Sequence, residues 1–508
     1  MAPLLRLLTL ALLLLPLHPR AVAQNIGTSN QQPDRELRGV WLASVLNIDY
    51  PRNATPAAAT LQADFRQQLT ALRRLGFNTL FVQVRPAADA LYPSQFAPWS
   101  RWLTGTPGKA PSDGFDPLEF MIAEAHAQGV ELHAWVNPYR VAMNLETEGF
   151  APGHVFREHP EWTLAYAGRR YLDPGLPEVR AHLGQVLDEL LTNYDLDGLH
   201  FDDYFYPYPK AGEQFPDDAS YTRYGQGMNR ADWRRQNVNT FVAETQARVK
   251  RRGTHVQFGI SPFGVWRNRA QDPVLGSDTR ASVSSYDDLY GDALHWARTG
   301  TVDYLLPQLY WSLDFAAAGH RTLADWWARN TPPTTQLYVG HAAYKVNNNA
   351  DEAWTGLEEL PRQIALARNT PRLEGSVYFS ARSILGNRDG LPERIGREYG
   401  ELALLPERPT NEPAKNLKVK VFKPKAQDEG TLLVWEVNKK TPAADLPWYY
   451  AIYRVTNGTP TLLHRTPYGM TCHRLNYVDR EMAGRKRKDY VVVPMDRFHR
   501  AMVGDPHP

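Results

Sequence analysis

One cysteine, Cys472, stands in 508 residues, so no intrachain disulfide can staple the chain. Beyond the first two dozen positions there is no run of about 20 apolar residues, the length a membrane-spanning helix needs; no transmembrane anchor is expected. A surplus of either sign of charge is missing as well. The chain has 57 Lys+Arg against 55 Asp+Glu, a net charge of +2, and no long charge runs. That balance argues against a disordered polyelectrolyte, and no nucleic-acid partner is expected. The sequence lacks a phosphate loop, a dinucleotide fingerprint and a Gly-x-Ser-x-Gly elbow. His200, Asp202 and Asp203 have no second cluster at metal-ligand spacing beside them. Neither a cofactor nor a metal is expected.

What is present begins at the N-terminus. Arg6, the apolar run Leu7 to Leu15 and the small-x-small site Ala21-Val22-Ala23 read as a signal peptide over residues 1–23. No cysteine lies near that site for a lipid anchor, so the protein is expected in the periplasm or secreted. Hydrophobic residues make up 43% of the chain, enough for a large core, and 14 Trp and 25 Tyr supply ring faces on which sugar C–H bonds can stack. Residues 411–508 carry 17 Lys+Arg against 10 Asp+Glu, a surplus that suits an anionic surface or simply a solvated face.

Short apolar runs alternate with amphipathic stretches. Strands are expected over Leu37–Ser44, Asn78–Val84, Val130–Val136, Asp197–Asp202, Val256–Ser261, Val302–Leu309, Gln336–Ala342 and Gly375–Phe379. Helices are expected between them, including 60–75, 116–128, 178–194, 230–251, 287–298 and 355–368. Eight such units predict an α/β fold, a (β/α)8 TIM barrel over residues 24–405, with an open doubly wound sheet as the alternative. The strand-to-helix loops are the long ones (85–115, 137–177, 203–228, 262–286), which elaborates the face where barrel active sites lie. Residues 406–414 read as a linker. The remainder, 415–508, reads as five β-strands (417–422, 431–437, 449–454, 461–465 and 489–493) of a small all-β sandwich, fibronectin type III-like, with Trp435 at its core.

The chemistry concentrates in Asp197-Gly198-Leu199-His200-Phe201-Asp202-Asp203-Tyr204. Strand alternation puts Leu199 and Phe201 on one side and His200 and Asp202 on the other, and the strand ends in two adjacent carboxylates. Burying both raises one pKa, which suits an acid and its charged neighbour in glycoside hydrolysis. Two-sided mechanisms need carboxyls about 5–9.5 Å apart across the bond. Neighbours on one strand end flank a sugar poorly, and no Asp or Glu stands at the ends of strands 6, 7 or 8. Substrate-assisted hydrolysis, in which a 2-acetamido oxygen is the nucleophile, needs only neighbours. Asp203 and Asp202 are therefore the catalytic candidates. Around them, Arg38, Gln83, Arg85, Asn137, Tyr139, Arg140, His200, Tyr204, Tyr206, Ser261, Trp266, Gln308, Tyr310, Trp311 and His341 are expected to bind substrate. Uncharged hydrogen-bonders and rings predominate, with arginines to spare for one acidic substituent.

Arg38-Gly39-Val40-Trp41-Leu42-Ala43, Phe81-Val82-Gln83-Val84-Arg85-Pro86, Trp135-Val136-Asn137-Pro138-Tyr139-Arg140, the Asp202-Asp203 motif through Pro207, and Gly259-Ile260-Ser261-Pro262-Phe263-Gly264-Val265-Trp266-Arg267 together resemble the glycosyl hydrolase-like 10 family. That resemblance covers about residues 35–400. It implies a bacterial envelope barrel acting on peptidoglycan glycan strands, especially those stripped of stem peptides. The family is often lipid-anchored, and this chain departs by lacking the anchor cysteine. The aspartate pair also resembles the family 84 hexosaminidases, which use two consecutive aspartates. This implies Asp202 as acetamide orienter and Asp203 as acid/base. Family 18 chitinases match less well, since Tyr204 stands where their Asp-x-Asp-x-Glu motif has glutamate. Two other functions remain open at this point. One is a two-carboxylate glycosidase using Asp49, Asp89 or Asp314 as partner. The other is a non-catalytic cell-wall glycan-binding protein.

Overall fold

A computed structural model of the chain describes residues 34–146, 149–386, 389–481 and 489–503; the expected signal peptide lies outside them. The chain divides into one unit ending at Glu412 and another beginning at Pro413.

The first unit has eight parallel strands, β1 (Leu37–Leu42), β2 (Thr79–Arg85), β3 (Glu131–Val136), β4 (Gly198–Phe201), β5 (Gln257–Ile260), β6 (Tyr304–Leu305), β7 (Gln336–His341) and β8 (Leu373–Tyr378). They close into a barrel as β8 pairs with β1. Each strand leads to a helix: α1 (Ala58–Arg74), α2 (Pro117–Ala127), α3 (Pro177–Asn193), α4 (Arg230–Arg252), α5 (Ala293–Thr299), α6 (His320–Asn330), α7 (Glu359–Asn369) and α8 (Leu391–Glu398). This is the expected (β/α)8 architecture. Local chemistry sets the helix starts. At α2, Asp116 accepts from the Leu118 and Glu119 amides, and Pro117 opens the first turn. Helix α5 begins later than the expected residue 287, because Ser284 and Asp288 bond to each other (Ser284 N to Asp288 Oδ2, 2.7 Å) and Asp292 caps the helix instead.

The barrel strands are buried on both faces, as parallel sheets are. Val40, Leu42, Leu80, Val82, Leu199 and Phe201 pack outwards against the helices. Leu37, Trp41, Phe81, Trp135, Tyr304, Leu306, Tyr338 and Val377 fill the interior. The Tyr304 hydroxyl lies 3.0 Å from Nδ1 of both His133 and His200, and the Phe81 ring packs 4.8 Å from His200. Two glycines make room for this aromatic layer. A Cβ on Gly198 would sit 2.5 Å from the His133 ring, and one on Gly259 would sit 2.1 Å from the Tyr304 ring.

The segment between β3 and α3, expected as a loop, carries an antiparallel sheet of Arg140–Ala142, Arg169–Leu172 and Thr163–Tyr166. Strands of three and four residues are too short for an alternation signal. Part of the stretch read as linker is seated on the barrel: Arg408 is buried, pairing with the Glu131 carboxylate and donating to the His255 carbonyl at 2.5 Å.

The second unit has two antiparallel sheets. One contains 420–421, 425–427, 430–436 and 474–479; the other contains 449–456, 459–465 and 490–495. They share a core of Leu433, Trp435, Tyr450, Ile452, Leu475, Tyr490 and Val492. The strands at 425–427 and 474–479 were not expected, and the expected 417–422 contracts to Lys420–Val421. Among the described residues, no helix is long and apolar enough to cross a membrane.

Candidate active site

Asp202 and Asp203 follow β4 directly and open into a cavity of about 320 Å3 at the C-terminal ends of the strands. Its described lining includes Trp41, Gln83, Trp135, Arg140, Arg169, Tyr204, Ser261, Gln308, Tyr310, Tyr344 and Phe379 around the two aspartates. Both carboxylates are buried, at 6% and 4% exposure.

The two have different partners. Asp202 Oδ2 accepts from Asn137 Nδ2 at 2.5 Å, and Oδ1 accepts from the Tyr204 amide at 3.3 Å. The direction of the Asn137 amide is dictated from behind. Gln83 Oε1 accepts from the Ser44 and Val45 amides at 2.9 Å each, so Gln83 Nε2 donates to Asn137 Oδ1 at 2.7 Å. The asparagine is left with its NH2 towards Asp202. Arg140 stacks 4.7 Å from the Tyr204 ring centroid, where its charge favours ionised Asp202. Asp203 instead accepts from the Tyr208 hydroxyl and from Gln308.

The electrostatics follow from these partners. Burial pushes the Asp203 carboxyl up to about 7, with the Asp202 charge adding to it. Burial raises Asp202 as well, opposed by Arg140, Asn137 and the Tyr204 amide. The pair therefore shares one proton near neutrality, and the donor set around Asp202 puts that proton on Asp203. A protonated acid beside an oriented carboxylate can protonate a leaving oxygen while its neighbour holds a polar substrate group.

Gln83, Arg140, Asp202, Asp203, Tyr204, Ser261, Gln308 and Tyr310 are brought together as lining. Asn137 lies immediately behind them. The other expected binding residues do not reach this cavity. Tyr139 packs on Phe241, Tyr206 on Phe215 and Tyr290, and Trp266 on Trp326, all buried in the outer shell of the barrel. Arg85 donates from Nη1 to the carbonyls of Asn137 and Pro138. Trp311 packs edge-on against Phe263. His341 bonds Gln363 through Nδ1 and stacks on His320. His200 lies beneath the cavity, fully buried; burial holds its pKa far below the ordinary value, so it is neutral. Its Nε2 is 3.3 Å from Trp41 Nε1 and 3.1 Å from Ser261 Oγ. It accepts the indole N–H and positions two lining residues.

Arg38 sits at the opposite end of the barrel. It donates to Glu36 at 2.7 Å and to the Glu401 carbonyl at 2.6 Å, and Arg368 holds the other side of Glu36 at 2.8 Å. Arg38→Met is expected to destabilise the barrel by about 3 kcal/mol and to leave kcat and KM of the folded protein unchanged. Chemical denaturation together with steady-state kinetics checks both.

The alternative partner carboxylates are engaged elsewhere. Asp49 accepts from the Ala43 amide, the Ser380 hydroxyl and the Arg382 amide, each at 2.7 Å. Asp314 is exposed beside Arg321, and Asp89 lines a neighbouring cavity. Asp202 and Asp203 are the carboxylates among the described lining residues of this cavity.

Among the lining residues outside the expected set, two groups differ in how legible they are. Trp41 and Trp135 precede the strand-end residues Ala43 and Asn137 by two, so inward parity alone finds them. Met143 and Arg169 come from the antiparallel excursion, which no local pattern announced.

The sequence profile of the glycosyl hydrolase-like 10 family matches residues 36–356. Glycosyl hydrolase YngK of Bacillus subtilis is 42% identical over 478 residues, covering 93% of this chain and 92% of that protein. Glycosyl hydrolase DigH of Escherichia coli K12 is 40% identical over 374 residues, 69% of this chain and 84% of that one. Among solved structures, the PgaB (BpsB) glycoside hydrolase domain from Bordetella bronchiseptica gives a TM-score of 0.43 at 13% identity, covering 72% of this chain and 98% of that domain. The chain belongs to the glycosyl hydrolase-like 10 family and is a glycoside hydrolase.

Proposed function

We propose that this enzyme cleaves β-1,4 bonds between N-acetylated amino sugars in peptidoglycan glycan strands freed of their stem peptides, by a substrate-assisted mechanism. The observation that carries this reading is the adjacent, unequally partnered pair Asp202-Asp203 in a cavity whose described lining offers no third carboxylate. Asp203 gives its proton to the glycosidic oxygen as the C1–O bond breaks. The acetamide oxygen closes on C1 to form an oxazolinium ring, and ionised Asp202 accepts the acetamide N–H and aligns it. Asp203, now a carboxylate, then takes a proton from the water that reopens the ring. Arg140 and Arg169 also line the cavity, and Arg169 forms no ion pair among the described residues. This suits the lactyl carboxylate that a stem peptide would otherwise mask. Such a substrate fits the expected signal peptide and a periplasmic or secreted location. The second unit, two antiparallel sheets over a tryptophan-centred core, is consistent with a fibronectin type III-like sandwich.

The test has two arms. Peptide-free glycan strands incubated with the enzyme are expected to yield fragments whose masses show one water added per cleaved amino-sugar bond. An N-acetyl thiazoline sugar, a stable analogue of the oxazolinium ring, is expected to inhibit competitively, well below the substrate KM. Fragments without thiazoline inhibition would point to a two-carboxylate route. Saturable strand binding without fragments would leave only the binding function.

A further inference from the structure

We propose that the catalytic cavity continues, across a ridge made by Leu46 and Met143, into a second amino-sugar-binding cavity, so that the enzyme grips an extended strand over both. This rests on the amino-sugar reading of the catalytic cavity.

Leu46 and Met143 line both cavities, and the second has a volume of about 300 Å3. Leu46 is a leucine at 56% exposure, held in a left-handed backbone with φ 56°. That conformation is uncommon for a bulky residue, and such strain persists where surrounding structure imposes it. The surroundings are on hand at both sides. Ser44 and Val45 are bonded to Gln83, whose amide sets the direction of Asn137 at Asp202. Asn47 Nδ2 donates to the Trp102 carbonyl at 2.7 Å. One four-residue segment thus fixes the ridge against the catalytic network on one side and against a wall of the second cavity on the other.

That wall has the character of a sugar site. Trp99, Trp102 and Phe150 contribute ring surface. Trp102 is half-buried and its one ring contact among the described residues is the Arg101 guanidinium, 5.5 Å from the centroid. Neither Trp99 nor Trp102 donates its indole N–H to another described residue. Asp89, at 8% exposure, supplies a buried acceptor. Apolar faces beside a few fixed polar groups match a pyranose, which presents C–H faces edged by hydroxyls. Because the ridge is shared, the occupant that follows is a neighbouring residue of the strand being cut.

The test titrates Asp203→Asn with N-acetylglucosamine oligomers of two to six residues by calorimetry, so turnover plays no part. Affinity is expected to rise with length and to step up about tenfold once the oligomer crosses the ridge. Adding Trp102→Ala, which lines the second cavity alone, is expected to abolish the step and leave binding of the two-residue oligomer unchanged; Leu46→Gly, on the shared ridge, is expected to weaken the step as well. Glycine adopts the left-handed backbone at position 46 without cost, so that variant keeps the fold. Affinity that levels off at the length filling the catalytic cavity, or a step that survives both substitutions, overturns the inference and leaves the catalytic reading standing. Absence of binding for every oligomer overturns the amino-sugar reading, and the second cavity with it.

Discussion

Asp203→Asn is expected to lower turnover of peptide-free glycan strands by about a thousandfold, within the range general acid catalysis contributes. The amide cannot give a proton to the leaving oxygen or take one from water, while Asp202, Arg140 and the lining rings remain to bind the strand, so KM should change little. Release of reducing ends over time reads the loss, and turnover within a factor of two of wild type would remove Asp203 from the acid/base role. The same substitution should alter stability in the opposite direction. Burial raises the Asp203 pKa from 3.8 to about 7, so between those values the folded state holds a proton that the unfolded state has released. Its contribution to stability is complete below about pH 4 and is lost as pH rises to 7. The asparagine variant lacks that loss, so its melting temperature should exceed wild type most clearly at pH 8 and least at pH 4.

Asp202→Asn is expected to cost about a hundredfold or more in kcat, since the acetamide loses the charge that aligns it. The sharper readout is the pH profile. In wild type, kcat/KM should fall above about pH 7 as the pair gives up its shared proton. On the acid side it should fall above the ordinary carboxylate range, because Asp202 is raised too. Removing the Asp202 charge removes a cause that raises Asp203, so the alkaline limb should move to lower pH. An alkaline limb that stays in place would mean the two carboxyls do not share a proton and would argue against their assigned roles.

The barrel was legible because its strands are buried on both faces and read as apolar runs with clear ends. The expected strands match the observed ones to within a few residues, as with Gln336–Ala342 against β7. Legibility failed where side chains compete locally with regular structure, as Ser284 and Asp288 do ahead of α5, and where strands are too short to alternate, as around Arg140 and Arg169. At the site, position along a strand is readable, and strand alternation separates the residues that face the cavity from those that do not. Gln83, Ser261 and Gln308 stand at inward positions and line the cavity. Tyr139, Tyr206, Trp266 and His341 have the chemical type of sugar binders, but their side chains belong to the packed shell. Arg38 belongs to a family-like motif but stands at the start of its strand, the end away from the site.

The ring-filled layer of Phe81, His133, His200 and Tyr304 beneath the aspartates has a kinetic consequence. It plugs the barrel axis, so the pair exchanges hydrons with bulk water through the mouth alone, which a bound strand covers. An enzyme loaded in the wrong ionisation state must release its strand before it can correct itself. On the proposed mechanism, pH should therefore act mainly on capture, through kcat/KM, and far less on the committed complex.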